Sequence, residues 1–131
     1  MRYLLDTNAV IALTNRNSEN LIRRVRRLAE RDIAISSIVM QELYFGAYKS
    51  RQQTQNLAVA DALKFEVIEF DRDDARQAGE IRGFLRRQGT PIGPYDVLIA
   101  GQAVARNVVL VTRNIREFAP VPRLQVENWE A

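Results

Sequence analysis

The stretch Val108-Val109-Leu110-Val111-Thr112-Arg113-Asn114 decides how the chain folds. Four consecutive β-branched or Leu residues mark a strand buried on both faces, because a strand with a wet side alternates apolar and polar residues instead. The polar residues that follow mark where this strand leaves the sheet. Upstream, Pro94 suits the first turn of a helix over 94–106, and Gly89 ends a helical run over 73–88 whose Ala75, Ala78, Ile81, Phe84 and Leu85 share a face. Working back toward the N-terminus, the pattern predicts a strand over 66–70, a helix over 54–63, and a helix that Ser36 or Ser37 caps and that runs to about residue 49. Ile33-Ala34-Ile35 and Tyr3-Leu4-Leu5 read as further strands, separated by an amphipathic helix over 18–30. Asp6-Thr7-Asn8 reads as a turn or helix cap after the first strand, and a last short strand fits 124–126. Strands that alternate with helices build right-handed βαβ units, so the expected fold is α/β with a central, mostly parallel sheet.

With 131 residues, the chain fits one domain spanning 1–131. Hydrophobic residues make up 47% and charged residues 27%, a balance that supports a packed core and excludes a disordered chain. No apolar run reaches the roughly 18 residues a membrane span needs, and the N-terminus has no signal-peptide pattern; a cytoplasmic protein is expected. Two absences narrow the chemistry further. Without Cys there is no thiolate metal site or cysteine nucleophile, and without His there is no imidazole base or ligand. Catalysis is left to carboxylates, hydroxyls, amines or an ion held by oxygen, and Mg²⁺ or Mn²⁺ suits hard oxygen ligands. The net charge is +3, and all but two of the 19 basic residues, Lys49 and Lys64, are arginine. Guanidinium groups grip phosphate in a bidentate fork, which leans toward an anionic partner.

In a parallel α/β sheet, function gathers beyond the carboxyl ends of the strands. Asp6 is the first polar residue past the first strand, and Thr112, Asn114 and Glu117 follow the 108–111 strand in the same sense. Two further acids break the pattern of their helices. Glu42 stands among Ile38, Val39 and Phe45, inside an apolar arc, and Asp96 shares a face with Ile99, Ala100 and Ala103. Each acid also has an ordinary reading: Asp6 as a helix cap, Glu42 as half of an ion pair, Asp96 as a complement to a helix dipole. Together, acids at one sheet edge repel each other unless a cation lies among them. The arginine-rich face at Arg23, Arg24, Arg26, Arg27 and Arg31 reads first as a solvated face, while Arg113 and Arg116 flank the site loop and are the better candidates for phosphate contact.

These residues resemble the PIN-domain ribonucleases, and among them the VapC toxins of bacterial toxin–antitoxin pairs. The likeness rests on Leu4-Leu5-Asp6-Thr7-Asn8, on 36–43 with Gly46-Ala47, on 89–96 with Ile99-Ala100, on Val111-Thr112-Arg113-Asn114 with Arg116-Glu117-Phe118, and on Glu127-Asn128-Trp129. It implies a three-layer α/β/α domain. By resemblance Asp6, Glu42 and Asp96 hold Mg²⁺ or Mn²⁺, and Thr7, Asn8, Thr112 and Asn114 support them or hold water. Many members carry Asp where this chain has Asn114; either Glu117 supplies that carboxylate, or one ion is held tightly and a second arrives with substrate. The implied reaction is ion-assisted hydrolysis of RNA that leaves a 5′-phosphate and a 3′-hydroxyl. The stretch Gly-Thr-Pro-Ile-Gly-Pro-Tyr-Asp at 89–96 resembles that of enzymes cutting the anticodon stem-loop of tRNA, initiator tRNA foremost, which halts translation. The resemblance further implies a VapB-type antitoxin, a homodimer and a larger toxin–antitoxin assembly.

Two rival readings remain to be weighed. A phosphoacceptor domain would phosphorylate Asp6, but receiver modules place Lys after the last core strand and the corresponding phosphatases need Asp at position 8, where this chain has Asn8. A non-catalytic RNA- or partner-binding domain of the same fold stands if the acids hold no ion.

Overall fold

The computed structural model describes residues 1–131. Five strands form one parallel sheet: β1 (Tyr3–Leu5), β2 (Ile33–Ser36), β3 (Glu66–Ile68), β4 (Val109–Val111) and β5 (Val126–Glu127), in the spatial order β3-β2-β1-β4-β5. Helices α1 (Thr7–Thr14) and α2 (Glu19–Arg26) join β1 to β2, and α3 (Ser37–Lys49) and α4 (Gln53–Asp61) join β2 to β3. Helices α5 (Arg72–Gln88) and α6 (Pro94–Arg106) return the chain to β4, and the single turn α7 (Ile115–Phe118) precedes β5. The chain steps one way from β1 to β3 and the other way from β4 to β5. Right-handed crossovers therefore place the two helix groups on opposite faces of the sheet, the three-layer arrangement expected from the sequence.

The central strands behave as their composition requires. Leu4, Leu5, Ile33, Ala34, Ile35, Leu110 and Val111 are all buried, and the sheet covers its β1 end with Trp129, whose ring meets Tyr3 edge-on at 4.9 Å. Helices α5 and α6 lie so close that a Cβ on Gly101 would fall 2.6 Å from the Ala78 backbone. A buried polar network fixes their axial position. The Asp74 carboxylate accepts from Gln102 Nε2 at 3.2 Å and from Arg106 Nε and Nη2 at 3.3 and 3.1 Å, and Arg106 also reaches Asp71 at 3.1 Å. Asp74 is buried and needs these donors, since an unpaired interior charge is costly. The network anchors the C-terminal end of α6 and so holds Asp96, at its other end, in register.

Several boundaries differ from the sequence reading, each for a local reason. The helix expected over 18–30 ends at Arg26, because Ala29 turns to extended backbone and its N–H bonds the Asp32 carboxylate in a 3₁₀ turn, Glu30–Asp32, that delivers the chain to β2. Strand β3 stops at Ile68 instead of residue 70: the Phe70 N–H is taken by the Ser37 hydroxyl, and the carbonyls of Ile68 and Glu69 accept from Gln102. The last strand is Val126–Glu127, shifted past 124–126 by a left-handed Arg123 with φ 66°. Helix α4 begins at Gln53 and ends at Asp61, and α7 escaped the sequence reading because one turn carries no periodicity.

Candidate active site

The parallel sheet delivers the acids to one edge. The β1–β4 register pairs Leu5 with Val111, so Asp6 and Thr112 leave adjacent strands side by side, and the Asp6 N–H still bonds the Val111 carbonyl at 3.1 Å. Asp6 adopts extended backbone and caps α1, its Oδ1 accepting from the Ala9 N–H at 2.8 Å. The capping reading is thus correct, yet the same carboxylate is buried and belongs to an acidic cluster. Burial pushes its pKa above the ordinary range; the Thr112 hydroxyl and the Ala9 amide pull it down, and the charges of Glu130 and Glu42 push it up again.

Glu42 lies in the second turn of α3, which starts where β2 ends, and its Oε1 accepts from the Thr7 hydroxyl at 2.8 Å. The apolar arc expected around it is only partly present. Phe45 is 61% exposed and touches the Lys49 ammonium at 5.2 Å, because this flank of α3 faces away from the sheet. Asp96 occupies the first turn of α6, with Ile99, Ala100 and Ala103 of its face buried as expected. Its pKa is raised to about 7 by burial, by a hydrogen bond with Glu117, and by the charges of Glu117, Glu42 and Asp6. One acid thus feels all three others.

Glu117 enters from α7 and is held on both oxygens: Oε1 accepts from the Gly93 N–H at 3.2 Å and Oε2 from Asn114 Nδ2 at 2.7 Å. Asn114 is itself positioned by its N–H bonding the Thr112 hydroxyl at 2.9 Å. Gly93 lies between the two acids; a Cβ there would fall 3.0 Å from Asp96 Oδ2 and 3.6 Å from Glu117 Oε1. Asp6, Glu42, Asp96 and Glu117 therefore share one neighbourhood, with Thr7, Thr112 and Asn114 bonded to them. Asn8 is exposed and makes no side-chain hydrogen bond, and Arg113 and Arg116 are exposed at the rim without an acidic partner. Glu130, whose charge reaches Asp6, escaped the sequence reading because a charged residue next to a C-terminus carries no pattern.

The donor set, carboxylate and hydroxyl oxygen alone, fits a hard divalent cation, and the mutual repulsion recorded at Asp96 is what such an ion relieves. No three of these acids stand close enough to form a ready-made metal cage.

The family model of the PIN domain matches residues 3–124. The chain is 42% identical over 131 residues to the tRNA(fMet)-specific endonuclease VapC of Salmonella typhimurium, covering 98% of both chains. It is 40% identical over 133 residues to ribonuclease VapC2 of Rickettsia felis, covering 99% of both. Among solved structures, the DNA-bound VapBC of Salmonella typhimurium superposes with a TM-score of 0.93 at 41% identity over 98% of each chain. VapBC2 of Rickettsia felis, bound to a promoter DNA fragment, gives 0.92 at 39% identity over 98% of this chain and 99% of that one. With a PIN model spanning nearly its whole length and full-length VapC relatives on either measure, the chain belongs to the PIN-domain family, in its VapC branch.

Proposed function

We propose that this protein is a VapC-type toxin: a divalent-ion-dependent endoribonuclease that cuts tRNA, initiator tRNA foremost, arrests translation, and is neutralised by a VapB-type antitoxin. The observation that carries the reading is the convergence of four carboxylates at one sheet edge in a chain without His or Cys. The relatives add the substrate, since those of Salmonella typhimurium and Shigella flexneri are named tRNA(fMet)-specific endonucleases, and the solved VapBC complexes add the antitoxin.

Asp6, Glu42, Asp96 and Glu117 would hold the ion. Mg²⁺ or Mn²⁺ supplies a Lewis acid that lowers the pKa of water and offsets negative charge building on phosphate. The chain's own groups set up the rest. The Ala9 amide and Thr112 hydroxyl partly offset the effect of burial on Asp6 and favour its carboxylate form. Thr7 fixes the direction of Glu42, and Asn114 with the Gly93 amide fixes both oxygens of Glu117. Arg113 and Arg116 stand exposed beside the acids, free to pair with phosphates flanking the cut and to balance a site that would otherwise repel RNA. Water adds across the P–O3′ bond, giving one strand a 5′-phosphate and the other a 3′-hydroxyl. The test is incubation of the purified chain with total RNA in Mg²⁺ or in EDTA, with mapping of new 5′ ends. Discrete 5′-phosphate ends in tRNA anticodon loops, seen only with Mg²⁺, are expected. Intact RNA under both conditions would leave a PIN-fold binding domain in place of an enzyme.

A further inference from the structure

A second surface, away from the carboxylates, has its own chemistry. Arg16, Glu19, Ile22, Arg23, Arg26 and Arg27 line a concavity of about 370 Å³ between the end of α1 and the outer face of α2. A neighbouring hollow of about 210 Å³ shares Arg23 and Arg27 and adds Arg24, Asn128 and Trp129. Arg23 and Arg27 border both hollows, which together make up the arginine groove. All five arginines are exposed, and only Arg24 has an acidic partner, Glu127 at 3.1 Å. Four guanidinium groups, those of Arg16, Arg23, Arg26 and Arg27, therefore line the first hollow with a single side-chain carboxylate, Glu19, among them.

The second hollow, lined by Asn128 and Trp129, is linked to the active edge of the sheet through the neighbouring Glu127. Glu127, which holds Arg24 at 3.1 Å, takes the Thr112 N–H on its carbonyl at 3.0 Å. Glu127 thus joins an arginine of the groove to the strand end that carries Thr112. Arg16 adds an independent sign. It sits in the left-handed region at φ 55°, where Gly or Asn is cheaper, at the turn that aims it into the groove. Trp129 is buried under the Arg24 guanidinium at 4.8 Å and offers no open face for a base. Contact here is with backbone phosphate and not with bases. Arg23 and Arg27 stand about one turn apart, about 6 Å along the axis, on the scale of successive phosphates of one strand.

We infer that the arginine groove of α2 is a second RNA-binding surface, which takes the phosphate backbone of the substrate beyond the cut site and orients a folded RNA on the acidic centre. The inference rests on the ribonuclease reading above. Guanidinium groups that neutralise phosphates release counterions, so each one lost lowers the salt dependence of binding.

The experiment measures binding of a 5′-labelled initiator tRNA transcript in EDTA, across salt concentration, for wild type, Arg23→Ala/Arg27→Ala, Arg16→Gly and the control Arg86→Ala/Arg87→Ala on α5. For Arg23→Ala/Arg27→Ala, Kd should rise about tenfold or more and the slope of log K against log salt should fall by about 1.5. Arg16→Gly should weaken binding several-fold while its Tm holds or rises, which separates the contact from folding. The control should bind as wild type does. Unchanged Kd and slope in the groove variants, with wild type binding RNA, would overturn the groove and leave the enzyme reading intact. An equal loss on duplex DNA of matched length would reduce the groove to a general polyanion surface and overturn its assignment to RNA. Wild type that neither binds nor cuts RNA would remove the ribonuclease reading and this inference with it.

Discussion

Asp96 and Glu117 converge on Gly93, where an added Cβ would fall 3.0 Å from Asp96 Oδ2 and 3.6 Å from Glu117 Oε1, so two like charges share one small space. The Asp96 pKa, raised from its ordinary 3.8 to about 7, reflects first its burial and then the neighbouring Glu117. In the unfolded chain that neighbour is gone. Between about pH 4 and 7 the folded state therefore binds the extra proton, and stability falls as pH rises through this window. Thermal unfolding in EDTA should show Tm dropping from pH 4.5 to 7.5. Asp96→Asn should flatten the drop and raise Tm at pH 7.5 by a few degrees, while cutting RNA cleavage by about 10²-fold or more. A Tm that is flat with pH in wild type would show the two acids to be uncoupled.

An ion in the cluster should remove that behaviour. Bound only by the folded state, Mg²⁺ at 100 times its Kd adds about 2.7 kcal/mol, and the pH dependence above should disappear in its presence. Differential scanning calorimetry across MgCl₂ concentration checks both effects. No shift of Tm at saturating Mg²⁺ would speak against any ion there.

The fourth acidic position can be decided by exchange. Glu117 receives two hydrogen bonds that hold it beside Asp96, whereas Asn114 donates one of them, so the two residues have different work. Glu117→Gln should raise the Mn²⁺ concentration needed for half-maximal cleavage by about tenfold. Asn114→Asp removes the Glu117 donor and adds a repelling charge, and should also impair activity instead of supplying a new ligand. Improved activity at low Mn²⁺ in Asn114→Asp would assign the position to residue 114.

Two helical glycines should answer alanine with opposite signs. Gly101 would press its Cβ to 2.6 Å from the Ala78 backbone, and α5 and α6 must separate to accept it, at about 1–3 kcal/mol. Gly79 on α5 has nothing within 4 Å of the new Cβ, so alanine there should add about 0.5–1 kcal/mol through helix propensity. Urea denaturation of the two variants checks the pair. Because Asp96 rides on α6, Gly101→Ala should also lower cleavage, and Gly79→Ala should leave it unchanged.

The sheet was readable in the sequence because β1, β2 and β4 are doubly buried and say so in unbroken apolar runs. Strand ends were less readable, since β3 is cut short by a Ser37 hydroxyl and a Gln102 amide that come from elsewhere in the chain. At the site, Asp6 and Asp96 stood out by position and patterning. Glu42 was singled out on a partly mistaken ground, because Phe45 is a surface residue. The buried Asp74 had no local mark: its partners Gln102 and Arg106 lie about thirty positions away, and only the packing of α5 on α6 brings them together. The arginines of α2 looked like a solvated face, and their groove exists only once α1 and the C-terminal segment are folded beside them.

The account turns on Asp6, Glu42 and Asp96 serving one ion, and calorimetric titration of Mn²⁺ into wild type and into Asp6→Asn, Glu42→Gln and Asp96→Asn measures that directly. Wild type should bind Mn²⁺ with a defined stoichiometry, and each single substitution should weaken binding about tenfold or more while the chain stays folded. Mn²⁺ affinity that is absent in wild type, or equal in all four proteins, would contradict it.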